Sequence, residues 1–313
     1  MTDYLERAIA LADATSGRAY PKPDVGAVLV RNGAVVGEGS TEAGGRHGEI
    51  AALDAAGKRA SGATLYVTME PCAHHGTTPP CTEAIVVAGV ARVVVGSRDP
   101  NPEAAGGVER LREAGVEVEL ADSFAARAQN EAWRTWVTLG RPFVTWKVAV
   151  TLDGRVAVPG TRWVSGEESR RRVHALRARS DAVAVGMGTV RADNPGLDAR
   201  GVEAARQPRR LAFGRGPLPA GSELELRGGP LADELRSLAA DGVQSLLLEG
   251  GPTLAGGFLA EELVDRLLVF VAPTLAGDGQ RVLGDLAAPV KLTRLAADPI
   301  GEDVLLSAYV HEP

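Results

Sequence analysis

The chain has 313 residues, a length that suits two domains of about 150 residues each, and its 40 acidic and 34 basic side chains give a formal net charge of −6. This balance argues against general nucleic-acid binding, which needs an excess of Lys and Arg, although a local basic cluster would still bind a small phosphorylated molecule. No run approaches the roughly 20 apolar residues of a membrane span, no secretory signal pattern opens the chain, and two cysteines form no disulfide framework, so we expect a cytoplasmic protein.

The first half of the sequence predicts alternating helices and strands. Asn32-Gly33 is a dipeptide preferred in tight hairpin turns, and Gly17 is a typical helix stop. In chain order we predict a helix at 3–17, strands at 25–30 and 34–37, a helix from His47 to residue 60, a strand at 64–68, a helix at 82–89, a strand at 91–96, a helix at 106–114, a strand at 116–120 and a long helix at 122–139. This alternation is typical of a layered α/β sheet.

A domain boundary is predicted after that long helix, because Gly140-Arg141-Pro142 combines two residue types that stop helices. The two domains would span 1–140 and 141–313. In the second we predict strands at 143–150, 181–186, 209–213, 243–249 and 264–271, a helix at 165–179 capped by Ser165, and a mobile loop at 214–230. The second domain is therefore also expected to be α/β.

The residues that indicate chemistry in the first half are His47, Glu49, Cys72 and Cys81. One imidazole and two thiolates suit a catalytic zinc, which takes three protein ligands and leaves its fourth position to a water whose pKa falls to roughly 7. Glu49 follows the histidine by two residues, as does the proton-shuttling carboxylate of zinc deaminases that act on nucleobases. The alternative is that the cysteines are small buried apolar residues and that His-x-Glu is a chance pair.

The spacing of these residues departs from the simple zinc-deaminase signature in one respect. Eight residues rather than two separate Cys72 from Cys81, so the intervening loop would have to bulge outward and return the second thiolate to the metal. A helix that begins at His47 places Glu49 in its first turn, where the positive end of the helix favours the ionised carboxylate.

In the second half, a predicted strand ends in Glu249-Gly250-Gly251 just before a helix. Backbone N–H groups at a helix N-terminus bind phosphate without help from side chains. From spacing alone, a plain strand-to-helix turn explains the pattern as well. Gly186-Met187-Gly188 is a weaker sign, a fragment of a glycine fingerprint whose third position, 191, is Arg.

The run Glu70-Pro-Cys-Ala-His-His-Gly-Thr-Thr-Pro-Pro-Cys81 closely resembles the deaminase half of the bifunctional riboflavin-biosynthesis deaminase/reductase family. The resemblance extends through 20–26, 99–102, 152–154 and 249–255 and covers nearly the whole chain. It implies an N-terminal cytidine-deaminase-like α/β/α zinc domain and a C-terminal dihydrofolate-reductase-like α/β domain that uses NADPH. We also expect a homo-oligomer, a dimer or a tetramer.

The activity implied by this resemblance has two steps. The first domain would hydrolytically deaminate a diaminopyrimidinone ribosylamino phosphate, and the second would reduce its ribosyl group to ribityl. Carried over residue by residue, the family's cofactor contacts fall on Ala149, Trp163, Ser165, Thr189, Asp193 and Gly251, and its substrate contacts fall on Thr161, Arg177, Leu197, Arg200 and Glu249. Arg177 and Arg200 would hold a phosphate through forked donors, and Lys147 is a candidate for proton supply. Alternatively, each arginine is a solvated surface charge and Trp163 a core aromatic.

The sequence departs from the family pattern at Lys22, Gly48 and Thr77, where many members have Asn, Ala and a basic residue. Lys22 and Thr77 would alter contacts to the base and phosphate of the substrate, whereas the zinc chemistry is untouched. The loop at 159–162 is also two residues shorter. Two alternatives therefore stay open: a cytidine- or guanine-type deaminase with an unrelated appended domain, and a pathway paralogue with an altered pyrimidine substrate and one domain serving as a non-catalytic scaffold.

Overall fold

The computed structural model describes residues 2–15, 17, 19–42, 44–75, 79–204 and 206–313. The chain divides into two compact units, one that reaches to Leu139 and includes Pro313, and one that spans Gly140–Glu312. Each unit has its own sheet and its own buried apolar core. None of the described helices combines the length and the apolarity needed to cross a lipid bilayer.

The first unit is built on a five-stranded mixed sheet in the order β2-β1-β3-β4-β5. Its strands are β1 (Gly26–Arg31), β2 (Ala34–Ser40), β3 (Thr64–Val67), β4 (Arg92–Val95) and β5 (Glu117–Leu120), of which β1 is antiparallel to β2 and β3 and the last three are parallel. Its helices are α1 (Thr2–Ala14), α2 (Gly48–Ala56) with a following 3₁₀ turn at Gly57–Ala60, α3 (Cys81–Val87), α4 (Gly107–Glu113), α5 (Phe124–Gln129) and α6 (Glu131–Leu139).

The core of this unit brings the starts of two helices together. Leu29 of β1, Leu65 of β3 and Val93 of β4 are fully buried and pack with Ile85 of α3 and Leu111 of α4. Helix α2 packs against β1, β2 and α3. The first residues of α2 and α3 therefore come close to the loop that follows β3.

The structure corrects two of the helices predicted in the first unit. The helix expected to run to residue 60 changes to a 3₁₀ turn at Gly57, whose φ of 54° lies in the left-handed region that glycine adopts readily. The helix expected at 122–139 is two helices, α5 and α6, separated at Asn130. Asn130 Oδ1 accepts a hydrogen bond from the Asp24 N–H at 2.9 Å and Nδ2 donates to the Asp24 carbonyl at 2.8 Å. These long-range bonds compete with a continuous helix.

The second unit is built on an eight-stranded sheet in the order β12-β13-β11-β6-β10-β7-β8-β9. Its strands are β6 (Phe143–Thr151), β7 (Ala182–Gly186), β8 (Arg209–Phe213), β9 (Glu225–Arg227), β10 (Ser245–Leu248), β11 (Arg266–Ala272), β12 (Thr293–Ile300) and β13 (Asp303–Tyr309), and its helices are α7 (Glu167–Arg179), α8 (Met187–Asp193), α9 (Leu231–Ala240) and α10 (Pro252–Ala260). The strands from β11 to β9 are all parallel, so their C-terminal ends share one edge.

Three strands of this unit were not predicted. β12 and β13 form an antiparallel hairpin at one edge of the sheet, and β12 is exposed along most of its length, so it shows no apolar alternation. β9 lies inside the segment predicted as a mobile loop and pairs with β8, which corrects that prediction.

The predicted serine cap of α7 is also wrong. The helix begins at Glu167, with Gly166 as its N-cap and no capping side chain. Asp303 of β13 accepts hydrogen bonds from the Gly166 N–H at 2.8 Å and from the Ser169 hydroxyl. A carboxylate from a distant strand thus binds two residues at the start of this helix without capping it.

Candidate metal centre and strand-end cleft

Three side chains from separate elements converge in the first unit. His47 is the N-cap of α2, Cys72 lies in the loop after β3, and Cys81 is the first residue of α3. His47 Nδ1 lies 3.2 Å from Cys81 Sγ and 3.6 Å from Cys72 Sγ, and the three potential ligand atoms lie within 4.8 Å of one another. Zinc bonds of about 2.0 Å to nitrogen and about 2.3 Å to sulfur separate tetrahedral ligand atoms by roughly 3.5 Å, so this donor set fits a zinc ion.

The electrostatics of the cluster favour a thiolate. The pKa of Cys72 is lowered to about 4, first because the Cys81 thiol hydrogen-bonds to its sulfur and then because His47 lies beside it. The Cys81 N–H also lies 3.4 Å from the Cys72 sulfur. The pKa of His47 is raised, chiefly by its hydrogen bond with Cys72. Since the thiolate is the form that binds a metal, the cluster is prepared for one.

Glu49 lies in the first turn of α2 beside this cluster and is 3% exposed. Its Oε2 atom is buried and has no hydrogen-bond partner among the described residues. Burial raises the pKa of this carboxyl, and His47 opposes the rise. A buried oxygen without a partner is costly and rare, which indicates that a group absent from the protein chain completes this site.

Glu70 supports the loop that carries Cys72, a role that the sequence analysis did not assign. It is 3% exposed, and its carboxylate accepts hydrogen bonds from the Val108 N–H at 2.9 Å and the Asp99 N–H at 3.1 Å. A Cβ on Gly107 would lie 1.8 Å from the Pro71 carbonyl oxygen, so α4 approaches this loop as only glycine allows. The only sequence feature that could have indicated this role of Glu70 is its position directly before Pro71-Cys72.

The three departures from the family pattern have different structural settings. A Cβ on Gly48 would already lie 2.4 Å from the Val25 carbonyl oxygen, so glycine lets α2 pack closely against the start of β1. The Lys22 ammonium lies beside Gly45, and its charge lowers the pKa of His47. Thr77 lies outside the described residues.

A buried ion-pair cluster lies at the C-terminal edge of the second sheet. Glu249, directly after β10, lies 3.1 Å from the Lys147 ammonium of β6. The Arg177 guanidinium of α7 binds the same carboxylate through Nε at 2.6 Å and Nη2 at 3.0 Å. Burial raises the pKa of Glu249, but Lys147 and Arg177 outweigh it and lower the pKa to about 2. The carboxylate is therefore ionised at any physiological pH.

The neighbouring loop places two more predicted substrate contacts near Arg177. Arg177 Nη1 donates to the Asp198 carbonyl at 3.1 Å, and the Asp198 carboxylate lies 3.3 Å from the exposed guanidinium of Arg200. Leu197 is buried and has a φ of 52°, an uncommon conformation for a residue with a side chain. Arg177 thus uses its fork on Glu249, whereas Arg200 faces solvent. His174, which was not predicted, contacts the same loop, with its Nδ1 3.2 Å from the Arg200 backbone nitrogen.

Gly251 occupies the turn between β10 and α10. It is the N-cap of α10, no side chain caps the helix, and a Cβ at this glycine would meet nothing within 4 Å. The Trp146 indole donates to the Gly250 carbonyl at 3.3 Å and so holds the turn. A cavity of about 440 Å³ opens against the first turn of α10, between Thr253 and the segment that contains Arg281. Backbone N–H groups at a helix start that no described side chain caps, together with open space, fit the pyrophosphate of a dinucleotide.

The loop before α7 carries three further predicted contacts. Trp163 is 55% exposed, and the guanidinium groups of Arg162 and Arg170 lie 5.0 and 5.4 Å from its ring, so it is not a core aromatic. The Thr161 hydroxyl donates to the Val158 carbonyl at 3.1 Å. The Ser165 carbonyl accepts from Arg170 Nη1 at 2.6 Å.

The remaining predicted residues belong to elements at the same sheet edge. Ala149 lies two positions after Lys147 on β6, and side chains at that spacing share a face of the sheet. Thr189 and Asp193 lie four positions apart on α8, which begins directly after β7. Because β7 pairs with β10 in parallel, α8 and the Gly251 turn start from adjacent strand ends.

Comparison with known proteins agrees with this geometry. Residues 2–97 match the family model for the cytidine and deoxycytidylate deaminase zinc-binding region, and residues 142–218 and 228–306 match the RibD C-terminal domain. The riboflavin biosynthesis protein RibD of Aquifex aeolicus is 38% identical over 97% of both chains, and that of Mycobacterium tuberculosis is 42% identical over 93% of this chain and 92% of its own.

Solved structures give the same result across both units. RibD of Acinetobacter baumannii superimposes with a TM-score of 0.85 at 35% identity over 98% of each chain. A diaminohydroxyphosphoribosylaminopyrimidine deaminase/5-amino-6-(5-phosphoribosylamino)uracil reductase from Thermotoga maritima has a TM-score of 0.84 at 34% identity and covers 98% of this chain and 97% of its own.

A cytidine-deaminase-like zinc domain joined to a RibD-type α/β domain defines a two-domain enzyme with a deaminase and a reductase activity. The chain belongs to the RibD family of riboflavin-biosynthesis proteins. Its cofactors are zinc and NADPH. The predicted fold class, family and bifunctional activity are confirmed, and nothing in these comparisons supports the alternative of a paralogue with a scaffold domain.

Proposed function

We propose that the first unit carries the deaminase site and that His47, Cys72 and Cys81 hold its zinc. The observation that carries this assignment is the convergence of three soft donors beside a buried carboxylate whose Oε2 lacks a partner. Two thiolates and an imidazole select zinc over hard cations such as magnesium or calcium. The predicted domain limits of 1–140 and 141–313 belong to the same proposal.

Glu49 would carry the protons in the deamination. Zinc bound at this site supplies a water molecule of lowered pKa for hydrolysis. The Glu49 carboxylate accepts a proton from the attacking water on Oε2 and passes it to the amino group, which leaves as ammonia. Glu49 is 3% exposed and so is shielded from bulk solvent, and Glu70 holds the Cys72 loop in place.

In the second unit we assign the reductase site to the C-terminal edge of the sheet. NADPH supplies the hydride that reduces the ribosyl group to ribityl. The Gly251 turn and the start of α10 would bind its pyrophosphate, with Ala149, Trp163, Ser165, Thr189 and Asp193 as its other contacts. Open α/β sheets bind ligands at this edge, which supports the assignment.

The substrate would lie against Glu249 and Lys147. Glu249 is held ionised by Lys147 and Arg177, so it can accept hydrogen bonds from sugar hydroxyls. Lys147 Nζ would give a proton to the sugar oxygen that becomes a hydroxyl. Arg200, whose guanidinium is exposed, is the better phosphate ligand of the two arginines, because Arg177 is committed to Glu249. Thr161 and Leu197 would complete the contacts to the substrate.

The test is to supply the purified protein with the diaminopyrimidinone ribosylamino phosphate, with and without NADPH, and to follow product masses. Loss of one amino group without NADPH, followed by a gain of two hydrogens when NADPH is added, is the expected result. If the protein produces neither change in mass, the proposal is wrong. The loss of the amino group tests the first domain, and the gain of two hydrogens tests the second. We further propose that the enzyme is cytoplasmic and forms a homo-oligomer, a dimer or a tetramer, which sedimentation can measure.

A further inference from the structure

Two connecting segments of the second unit leave neighbouring strands of the sheet and bind each other. β6 and β11 are parallel neighbours, and Thr151 at the end of β6 lies opposite Ala272 at the end of β11. Beyond these ends the chain forms the turn 152–156 on one side and the segment 273–282 on the other. Both start from the C-terminal edge of the sheet, where NADPH is proposed to bind.

Asp153 is the residue of the turn that binds the other segment. Its Oδ1 accepts a hydrogen bond from the Ala276 N–H at 3.0 Å, and its Oδ2 accepts one from the Gly277 N–H at 2.8 Å. The Thr151 hydroxyl donates to the same Oδ1 at 2.5 Å and accepts from the Arg155 N–H at 2.9 Å. These bonds lower the pKa of Asp153 to about 2, with the Thr151 hydroxyl as the largest cause, so the carboxylate is ionised at physiological pH.

Backbone hydrogen bonds continue this contact along both segments. The Val156 N–H donates to the Gln280 carbonyl at 3.0 Å, and in the opposite direction the Val282 N–H donates to the Gly154 carbonyl at 3.0 Å. Since these bonds use backbone groups only, a substitution of Asp153 removes the bonds of its own carboxylate and leaves this pairing in place.

The bound segment continues into one wall of the cavity beside α10. This cavity of about 440 Å³ is bounded by Thr253 on one side and by residues between Gln280 and Leu286 on the other. Residues 282–292, all within the described range, belong to no helix or strand. Strand pairing therefore does not hold this wall, and the hydrogen bonds just before it, two of them to Asp153, fix where it begins.

We propose that Asp153 is a positioning residue of the reductase: it holds the wall of this cavity opposite the first turn of α10 and so sets the affinity for NADPH. The proposal rests on the assignment of NADPH to this edge of the sheet. Two charge-assisted bonds from one carboxylate to consecutive N–H groups make a rigid connection. The negative charge of Asp153 by itself would oppose the binding of an anionic cofactor. Position and charge therefore act on the NADPH affinity in opposite directions, so the two effects can be told apart.

The experiment compares wild type, Asp153→Asn and Asp278→Asn in the zinc-loaded full-length protein. Asn offers one carbonyl oxygen in place of two carboxylate oxygens, so one of the two N–H groups loses its acceptor. In Asp153→Asn the Kd for NADPH, measured by calorimetric titration, should rise by about 10-fold, and the KM for NADPH should rise by more than kcat falls. Asp278→Asn is the matched control, because Asp278 is an exposed residue of the same segment and its replacement removes the same charge. Its affinity for NADPH should not fall.

Hydrogen exchange distinguishes a displaced wall from a damaged fold. In Asp153→Asn the peptides that cover 274–286 should exchange faster, whereas those that cover β6 and β11 should not change. If β6 and β11 also exchange faster, the wild-type protein decides. NADPH should then slow exchange in 274–286 and in the loop 152–164 together, and slower exchange in only one of the two would overturn the proposal.

Three results of the titrations would contradict the positioning role. Tighter NADPH binding by Asp153→Asn would mean that the charge of Asp153 matters and its position does not. Equal losses of affinity in Asp153→Asn and Asp278→Asn would mean that the effect does not come from the bonds of Asp153. An unchanged Kd in Asp153→Asn would mean that the wall is held without this carboxylate. In each of these cases wild type still binds NADPH and the proposed reductase site stands, whereas a wild type that binds no NADPH would show that the proposed site itself is wrong.

Discussion

Replacing Glu249 with Gln should destabilise the second unit, because it removes the one negative charge that Lys147 and Arg177 share. The Glu249 side chain is only 7% exposed, and its two cationic partners are 14% and 13% exposed. The substitution preserves the shape of the side chain and leaves two buried cations without a counter-charge. Removing one partner from a buried pair costs about 3 to 5 kcal/mol.

The lowered pKa of Glu249 gives a second value for the stabilisation that its ion pairs with Lys147 and Arg177 contribute. A pKa lowered from 4.5 to about 2 corresponds to about 3 kcal/mol of stabilisation at neutral pH. Because the folded-state pKa is depressed, this stabilisation is fully present above the unfolded-state pKa and is lost as the pH falls from about 4.5 through about 2. The gap between wild type and variant should therefore narrow by about 1 kcal/mol between pH 7 and pH 3.5.

Hydrogen exchange read by mass spectrometry on peptides that cover β6 and β10 would measure this difference in the full-length protein. Glu225→Gln is the matched control, since Glu225 also pairs with two arginines but its side chain is 43% exposed, and it should cost no more than about 1 kcal/mol. Equal effects of the two substitutions, or a Glu249→Gln effect that does not narrow with acidification, would refute the reasoning.

Three further outcomes are expected. Protein purified without chelator should carry one zinc per chain by elemental analysis, and the Cys72→Ala Cys81→Ala double variant should carry none. If the double variant retained all of its zinc, the assignment of these ligands would be wrong. The Glu49→Gln variant should keep its zinc and its reductase activity, but its deamination rate should fall by at least about 10²-fold. A deamination rate near that of wild type would show that Glu49 does not transfer protons in the reaction. Gly251→Val should lose NADPH binding in a fluorescence titration while zinc content and deamination persist; unchanged NADPH affinity would place the pyrophosphate elsewhere, because an added side chain at Gly251 meets only open space in the protein itself.

Much of the fold followed from local sequence signals. The strand pair around Asn32-Gly33 forms as predicted, with φ angles of 52° and 76° at the two turn residues, because this dipeptide tolerates the left-handed conformation that a hairpin turn requires. The predicted bounds of β8 agree with the structure, since a short apolar run between polar segments is enough to define a buried strand. The metal-binding residues are also evident in the sequence, because soft donors are scarce in this chain.

The parts of the fold that the sequence analysis did not predict depend on contacts between residues that are distant in sequence. At the start of α7 the Gly166 N–H is bound by Asp303, which lies more than a hundred residues away, and at the break between α5 and α6 Asn130 is bound to Asp24. The β12–β13 hairpin is held by pairing with β11, and its exposed side chains carry no periodic apolar pattern.

The candidate sites show the same division. The sequence alone identified the candidate metal ligands and the candidate catalytic carboxylate, because their residue types and spacing can be seen without a structure. Only the tertiary structure decided that Arg177 is committed to Glu249 and that Glu70 supports the Cys72 loop. The physical reason is that the pairing and the burial of a charge depend on which strands and helices, distant in sequence, pack against each other. A local sequence pattern contains no information on that packing.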